Sequence, residues 1–300
     1  MLYFFQQLLN GLHSAALYGL LAFGYVLISG LTHRTNLAHG AVFAFSGQTM
    51  ILAAVYGWNV LWLTLPATVA FGLCVALAYA ALIGFVLARS VFEPLAQRSA
   101  NTFVAASLGA AIALGEAGRI AADTRDLWLP PLLSEPVVFA ADGTFRVTLT
   151  TLQLINCAVA CLTVATGACV LARTAWGRNW RAVSDDPQAA AMLGRDVRLI
   201  FRATVVFGSV SAALAGVLAG LYFGNISFGT GLVFSLKVLF VAAAGGFRAP
   251  ALAALGAAAF GFGESLWSGY FPIEWRDAWM FVFLAAILIL RRQDDFRERP

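Results

Sequence analysis

Two ionisable side chains stand inside otherwise apolar runs: Lys237 within residues 231–245 and Glu264 within residues 249–266. A charge at membrane depth costs roughly 2.5–3.5 kcal/mol or more, so such residues are functional candidates by default. On a helix Glu264 shares a face with Gly261 and Ser268. It either lines a solute path or makes a buried structural hydrogen bond. Lys237 either pairs with Glu264 or snorkels its long stem to an interface. A second cluster, Asn36, His39, Gly40, Ser46 and Gln48, offers amide, imidazole and hydroxyl groups that can line a path or cap a broken helix. His39 has the chemistry of a proton carrier, although satisfying backbone groups is the reading its setting favours. Glu116 and Arg119 are spaced as an intrahelical pair.

Other chemistries lack their residues. No His-Glu-x-x-His helix, Gly-x-Ser-x-Gly elbow or pair of catalytic carboxylates occurs, and the three histidines are scattered, so catalytic residues are not expected. The phosphate-cradling Gly-x-x-x-x-Gly-Lys-Ser/Thr loop is absent too, and ATP hydrolysis would have to reside on another polypeptide. Cys74, Cys157, Cys161 and Cys169 all lie in apolar runs. Cys157 and Cys161 share a helix face, but without His or carboxylate partners they read as packing rather than metal ligation. Neither a metal nor a cofactor is expected.

The elements that must position these residues follow from composition. Of 300 residues, 61% are hydrophobic and 11% charged, far below the roughly 25% charge of a soluble domain. The apolar residues come in runs near the roughly 20 that a helix needs to cross a bilayer. Spans are predicted at about 10–31, 38–57, 60–88, 101–121, 149–172, 202–223, 232–246, 250–269 and 275–291. The fold class is therefore an all-α integral membrane protein, a polytopic bundle of about 8–9 transmembrane helices. One domain is expected over residues 1–300, with no cleaved signal peptide, because the start has no basic region.

Arginines orient the bundle. Arg89, Arg98, Arg173, Arg178, Arg181, Arg195, Arg198, Arg202, Arg248, Arg291, Arg292, Arg297 and Arg299 fall on one side if the later spans alternate, which makes that side, and the C-terminus, cytoplasmic. This bias needs no nucleic-acid partner to explain the net charge of +4. The other side receives Trp58, Trp62, residues 268–277 and a loop at about 122–148. Pro130, Pro131, Pro136 and Asp142-Gly143 predict that this loop folds by turns. Thr32 to Gly40 is either a cytoplasmic turn or an unwound stretch inside the bundle, and the side of the N-terminus depends on which. Small residues recur every four positions at Gly11, Ala15, Gly19, at Gly208, Ala212, Gly216, Gly220 and at Ala253, Ala257, Gly261, Ser265, Gly269. Such rows permit close helix packing, either static or sliding.

The longest cytoplasmic loop, about 173–202, carries Asp185-Asp186-Pro187-Gln188-Ala189-Ala190-Ala191-Met192-Leu193-Gly194. Asp186 can cap a helix, Pro187 suits its first position and Gly194 its left-handed end. This predicts about seven residues of helix, roughly 10 Å long, exposing Ala189, Ala190, Met192 and Leu193. On physical grounds alone it either docks into a partner or lies on the membrane surface.

Gln188-Ala189-Ala190-x-x-x-Gly194 resembles the Glu-Ala-Ala-x-x-x-Gly loop of ABC importer permeases, with Gln in place of Glu. Phe5-Gln6-Gln7-Leu8-Leu9-Asn10-Gly11-Leu12 and Asn36-Leu37-Ala38-His39-Gly40 resemble branched-chain amino-acid ABC permeases of the LivH type. Glu93-Pro94-Leu95, Arg173-Thr174-x-x-Gly177-Arg178, Lys237 with Ala242-x-x-Gly245-Gly246 and Gly261-x-x-Glu264 extend the likeness over nearly the whole chain. The resemblance implies an importer subunit in the bacterial inner membrane. Asp185, Asp186, Gln188, Ala189, Ala190, Met192 and Gly194 would couple it to an ATPase. Asn36, His39, Gly40, Ser46, Gln48, Lys237 and Glu264 would line the translocation path. It also implies two cytoplasmic ABC ATPase subunits, a second permease of the LivM type and a periplasmic solute-binding protein. Leucine, isoleucine and valine are the first candidate solutes, beside other amino acids, amides and urea. Two other classes remain in view. In an ion- or proton-coupled secondary transporter, Glu264, Lys237 and His39 would carry the coupling. An intramembrane enzyme is the other.

Overall fold

The computed structural model describes residues 2–286, apart from Gln97, Asp126, Gly143, Thr144, Phe228, residues 246–248 and Leu284. Arg248, Gly246, Arg291, Arg292, Arg297, Arg299 and the end of the last predicted span lie outside the described residues.

Three long helices make the centre: α1 (Leu2–Thr32), α2 (Ala38–Asn59) and, later in the chain, a helix over Val197–Phe223. Their most apolar stretches are 78%, 72% and 72% buried within the protein. Between them in sequence come α3 (Leu65–Val86), a π-helical turn (Leu87–Phe92), α4 (Glu93–Leu95), α5 (Ala100–Ala121) and α6 (Thr151–Arg173). The apolar stretches of the helices over 65–95, 100–121 and 151–173 are each only 22% buried, and they turn Tyr79, Leu82, Ile112 and Leu162 outward. Water would oppose that exposure and lipid does not. Two short helices follow α6, α7 (Ala175–Asp185) and α8 (Pro187–Met192), and then the central α9 (Val197–Phe223). The chain continues through α10 (Thr230–Gly245), α11 (Pro250–Tyr270) and a 3₁₀ turn (Ile273–Trp275). Among the described residues, six helices are long and apolar enough to cross a membrane. With 16 residues, α10 is about 24 Å long at 1.5 Å per residue and falls short of the bilayer core.

The rows of small residues pack against helices rather than against lipid. On α1, Gly11 faces Phe262 and Ser265 of α11, and Gly261 of α11 lies on the Ala15 backbone so closely that a methyl group would sit 2.5 Å from the Ala15 nitrogen. On α9, Gly216 rests on the Phe43 carbonyl of α2, and Gly208 on Ile28 and the Gly24 carbonyl of α1. Contact at backbone level replaces the hydrophobic drive that lipid removes.

The two ends of the bundle differ. At one end the predicted turns of the 122–148 loop include an antiparallel ribbon that the sequence did not signal, β1 (Pro136–Asp142) with β2 (Phe145–Thr150). It runs from Pro136↔Thr150 to Asp142↔Phe145, with a bulge between Val138 and Ala140. The Gln6 side chain fastens this ribbon to α1, donating to the Thr148 carbonyl (2.9 Å) and accepting from its N–H (2.8 Å). At the same end Tyr3 donates to the Gly269 carbonyl of α11 (2.7 Å). At the opposite end α1 holds α7: Trp180 Nε1 donates to the Leu27 carbonyl (3.2 Å), Ser184 Oγ to the Gly30 carbonyl (2.6 Å), and His33 Nε2 to the Ser184 carbonyl (2.9 Å). Nearby, Arg202 of α9 grips Glu93 with two hydrogen bonds of 2.8 and 3.2 Å.

Residues 33–37 combine the two readings of this stretch. They turn at the α7 end and fold back along α1, so α2 begins beside Tyr25 and Leu21, inside the bundle.

Candidate functional site

A cavity of about 1010 Å³ lies towards the ribbon end, between α1, α9, α10, α11 and the residues after α11. Asn10, His13, Ser14 and Tyr18 of α1 line one side, with Tyr222 and Phe223 of α9. Lys237 of α10 and Glu264 of α11 line another, joined by Arg276 and Asp277 from the segment after the 3₁₀ turn. The close seat of α11 on α1 holds Glu264 in this wall, where it is only 8% exposed, against 4% for Lys237.

The expected pairing of Lys237 with Glu264 is present at 3.6 Å, and Asp277 comes nearer, at 2.9 Å. Arg276 Nε stands 3.5 Å from Glu264 and 3.6 Å from Asp277. Lys237 Nζ also lies 5.7 Å from the centre of the Phe234 ring, within reach of a cation–π contact. Arg276 and Asp277 were hidden in the sequence because they fall in an apparent outer loop. Their adjacency at the head of the last apolar run, among Trp275 and Trp279, was the available signal.

The other predicted polar cluster is used differently. The first N–H groups of a helix have no partner within it, and here side chains supply them at the start of α2. Leu37 donates to Ser107 Oγ (3.1 Å), Ala38 to Asn36 Oδ1 (3.0 Å) and Gly40 to Ser235 Oγ (3.0 Å). Ser235 Oγ in turn donates to the Leu37 carbonyl (2.6 Å), the Asn36 N–H donates to the Tyr25 hydroxyl (3.4 Å), and His39 Nε2 donates to the Leu21 carbonyl (3.0 Å). A side chain on Gly40 would collide with the backbone of Ser235 and Gly231. Asn36, His39 and Gly40 thus sit between helices and not on the cavity. Ser46 is buried without a hydrogen-bond partner among the described residues. Gln48 borders a small pocket of about 10 Å³ with Arg125 and Asn225.

A third polar group was also missed. The His13 ring packs on Tyr222 with centroids 4.2 Å apart and planes inclined at 48°, Gln153 Nε2 donates to the Tyr222 hydroxyl (3.2 Å), and Asn156 Nδ2 lies 3.3 Å from His13 Nε2 while donating to the Leu218 carbonyl (2.9 Å). These residues stand on three helices far apart in sequence, α1, α6 and α9, and no local spacing links His13 to the others. Of the cysteine pair, Cys157 is buried and Cys161 exposed, both as free thiols. Glu116 and Arg119 form their intrahelical pair at 2.8 Å.

At the other end, α8 is capped as its sequence requires. Asp186 Oδ1 accepts from the N–H groups of Gln188 (2.8 Å) and Ala189 (3.0 Å), Pro187 opens the helix and Gly194 is left-handed at φ +76°. The helix closes at Met192, one residue earlier than expected. Met192 and Leu193 are 89% and 79% exposed, and Asp185, Asp186, Gln188 and Ala189 are exposed as well. Ala190 corrects its expectation: it is buried against Val183 and Ile200, because it faces the angle between α7 and α9.

Buried central helices, peripheral helices that turn apolar side chains outward, and a cavity that carries a charged cluster in its wall between α1, α9, α10 and α11 fit a multi-pass membrane transport protein. The chain belongs to the family described as branched-chain amino acid transport system, permease component, whose model matches residues 7–290. It is similar to the high-affinity branched-chain amino acid transport system permease protein LivH of Escherichia coli, 29% identical over 293 residues, which cover 96% of this chain and 94% of that protein. LivH of Salmonella typhimurium has the same identity and coverage. BraD of Pseudomonas aeruginosa, named as a permease of the same kind of system, is 28% identical over 295 residues, covering 96% and 94%. No solved structure gives a significant match. The family is a transport permease and not an enzyme, its members act with other components of a transport system, and the chain is a multi-pass inner-membrane protein.

Proposed function

We propose that this chain is the transmembrane permease subunit of an ATP-binding-cassette importer for branched-chain or related amino acids in the bacterial inner membrane. Separate ATPase subunits would drive it. The names of its relatives support the solute class. The working complex would add two cytoplasmic ATPases, a second permease of the LivM type and a periplasmic binding protein.

Arg89, Arg98, Arg173, Arg178, Arg181, Arg195, Arg198 and Arg202 favour a cytoplasmic α7–α8 end. The ribbon and the mouth of the cavity would then face the periplasm, as would the start of α1. Residues 1–300 would form one bundle domain of eight to nine membrane segments, made of the six long helices, α10, α11 and the last apolar run, with a cytoplasmic C-terminus. The 122–148 loop would be periplasmic and the 173–202 loop would be the coupling loop.

The observation that carries this reading is the mounting of α8. It presents Met192 and Leu193 to solvent, while the neighbouring α7 is bonded to the end of α1 through Trp180, Ser184 and His33. From its α7 end at Thr32 the unbroken helix α1 reaches Tyr18 after about 21 Å and Asn10 after about 33 Å at 1.5 Å per residue, with His13 between them, all three on the cavity. Closure of an ATPase dimer on α8 would be transmitted along this rod to the solute path. Asp185, Asp186, Gln188, Ala189 and Gly194 would frame the contact, with Ala190 fixing α8 from behind. The variant Met192→Asp/Leu193→Asp, which alters exposed side chains only, should insert normally and weaken ATPase association by at least about tenfold, the loss expected for an apolar anchor. ATPases that copurify with the variant at the wild-type level contradict the assignment.

A further inference from the structure

Lys237, Glu264, Arg276 and Asp277 form a closed ring in which the sign of charge alternates. All four contacts between opposite charges are present, at 3.6 Å (Lys237–Glu264), 3.5 Å (Glu264–Arg276), 3.6 Å (Arg276–Asp277) and 2.9 Å (Asp277–Lys237). The ring therefore has no net charge, and it is loosely bonded. Only the contact between Asp277 and Lys237 has hydrogen-bond length, since 3.5 Å and beyond is too long for a strong bond. Arg276 Nε is buried and has no hydrogen-bond partner among the described residues. A structural ion cluster stabilises a fold when its lone pairs and protons are filled. This one keeps capacity in reserve, and all four residues border the cavity.

Resting on the permease reading, we propose that the ring is a recognition site for the zwitterionic head of an α-amino acid. The α-carboxylate would be taken by Lys237 and Arg276, and the α-ammonium by Glu264 and Asp277. Leu17, Leu21, Phe43, Val233 and Phe234, on the same cavity, would receive an apolar side chain. The selectivity follows from charge balance in a low-dielectric wall. A zwitterion brings one charge of each sign, as close together as those it separates, so every ring member regains a partner. A lone carboxylate or ammonium leaves one member uncompensated, which is the costly outcome for a buried pair. A neutral amide or urea offers dipoles in exchange for ion contacts and cannot restore them. Arg276 and Asp277 would thus determine specificity as much as Lys237 and Glu264.

The test uses the assembled permease–ATPase complex in nanodiscs, without the binding protein, so that the permease alone selects. Labelled leucine is displaced by leucine, by 4-methylpentanoate (the anion alone), by leucinamide (the cation) and by isovaleramide (neutral). In the wild type the last three should be weaker than leucine by at least about tenfold, the size of one lost charge-assisted contact. Glu264→Gln gives the ring a net positive charge and should raise the potency of 4-methylpentanoate relative to leucine by about tenfold. Asp277→Asn, at a half-exposed position, should act in the same direction, and Lys237→Met should favour leucinamide. Equal losses for every competitor would mark the ring as structural and overturn the proposal. So would absence of displaceable leucine binding, or wild-type binding indifferent to charge. ATPase copurification is scored in the same samples: its loss in the wild type would sink the permease reading, whereas intact complexes without charge selectivity sink only the ring.

Discussion

Two buried polar regions of this bundle spend their hydrogen bonds in opposite ways. At the start of α2, Asn36, His39, Ser107 and Ser235 give their bonding capacity to backbone groups of an interrupted helix. In the cavity wall, Lys237, Glu264, Arg276 and Asp277 hold one another at distances that are mostly too long for hydrogen bonds and leave a buried donor open. The contrast separates polarity retained for architecture from polarity held ready for a ligand. Membrane depth alone does not distinguish them, because a buried polar group is costly in both places. What distinguishes them is whether the partners are already on the chain.

The largest effect should come from opening the ring on one side. Lys237→Met leaves two carboxylates without the cation between them and should destabilise the protein by about 3–5 kcal/mol, read as a lower melting temperature in detergent. The double variant Lys237→Met/Asp277→Asn should recover much of that stability but not leucine uptake. Recovery of both would make the ring architectural and erase the contrast.

A smaller effect is expected on the other side of the comparison. Gly40→Val drives a side chain into the α10 backbone and should cost about 1–3 kcal/mol, the usual range for overpacking. Stability and uptake should fall together, with the charge preference among competitors unchanged. A shift in that preference would connect the α2 start to ligand recognition.

The smallest effect concerns His39. Its ring nitrogen is committed to the Leu21 carbonyl (3.0 Å), so His39→Gln should change stability by no more than about 1 kcal/mol, one neutral hydrogen bond. The pH profile of uptake should stay as it is. A profile that flattens in this variant would restore His39 as a proton carrier.

The two regions were also unequally legible in the sequence. Long apolar runs exposed the helices, and the short local code Asp186-Pro187 to Gly194 located α8 to within a residue, because caps and turns are written in adjacent positions. Glu264 and Lys237 were visible because each stands alone in an apolar run. Arg276 and Asp277 were not, since at the mouth of a span two charges look like a loop until α11 folds back on α1. His13 escaped for a related reason: its partners Asn156 and Tyr222, the latter held in turn by Gln153, come from distant helices, and only packing brings them together. The burial of Ala190 and the ribbon at 136–150 depend equally on what lies next to them in space.

The central claim is that ATP hydrolysis on partner subunits, acting on α8 and through α1, drives an amino acid past the ring. Its most direct test is leucine uptake into proteoliposomes holding this chain with its second permease, ATPases and binding protein. Uptake should require ATP on the α8 side and the binding protein on the ribbon side, and should survive a protonophore. Accumulation driven by a proton or sodium gradient, with this chain alone and no ATPase, would contradict the account.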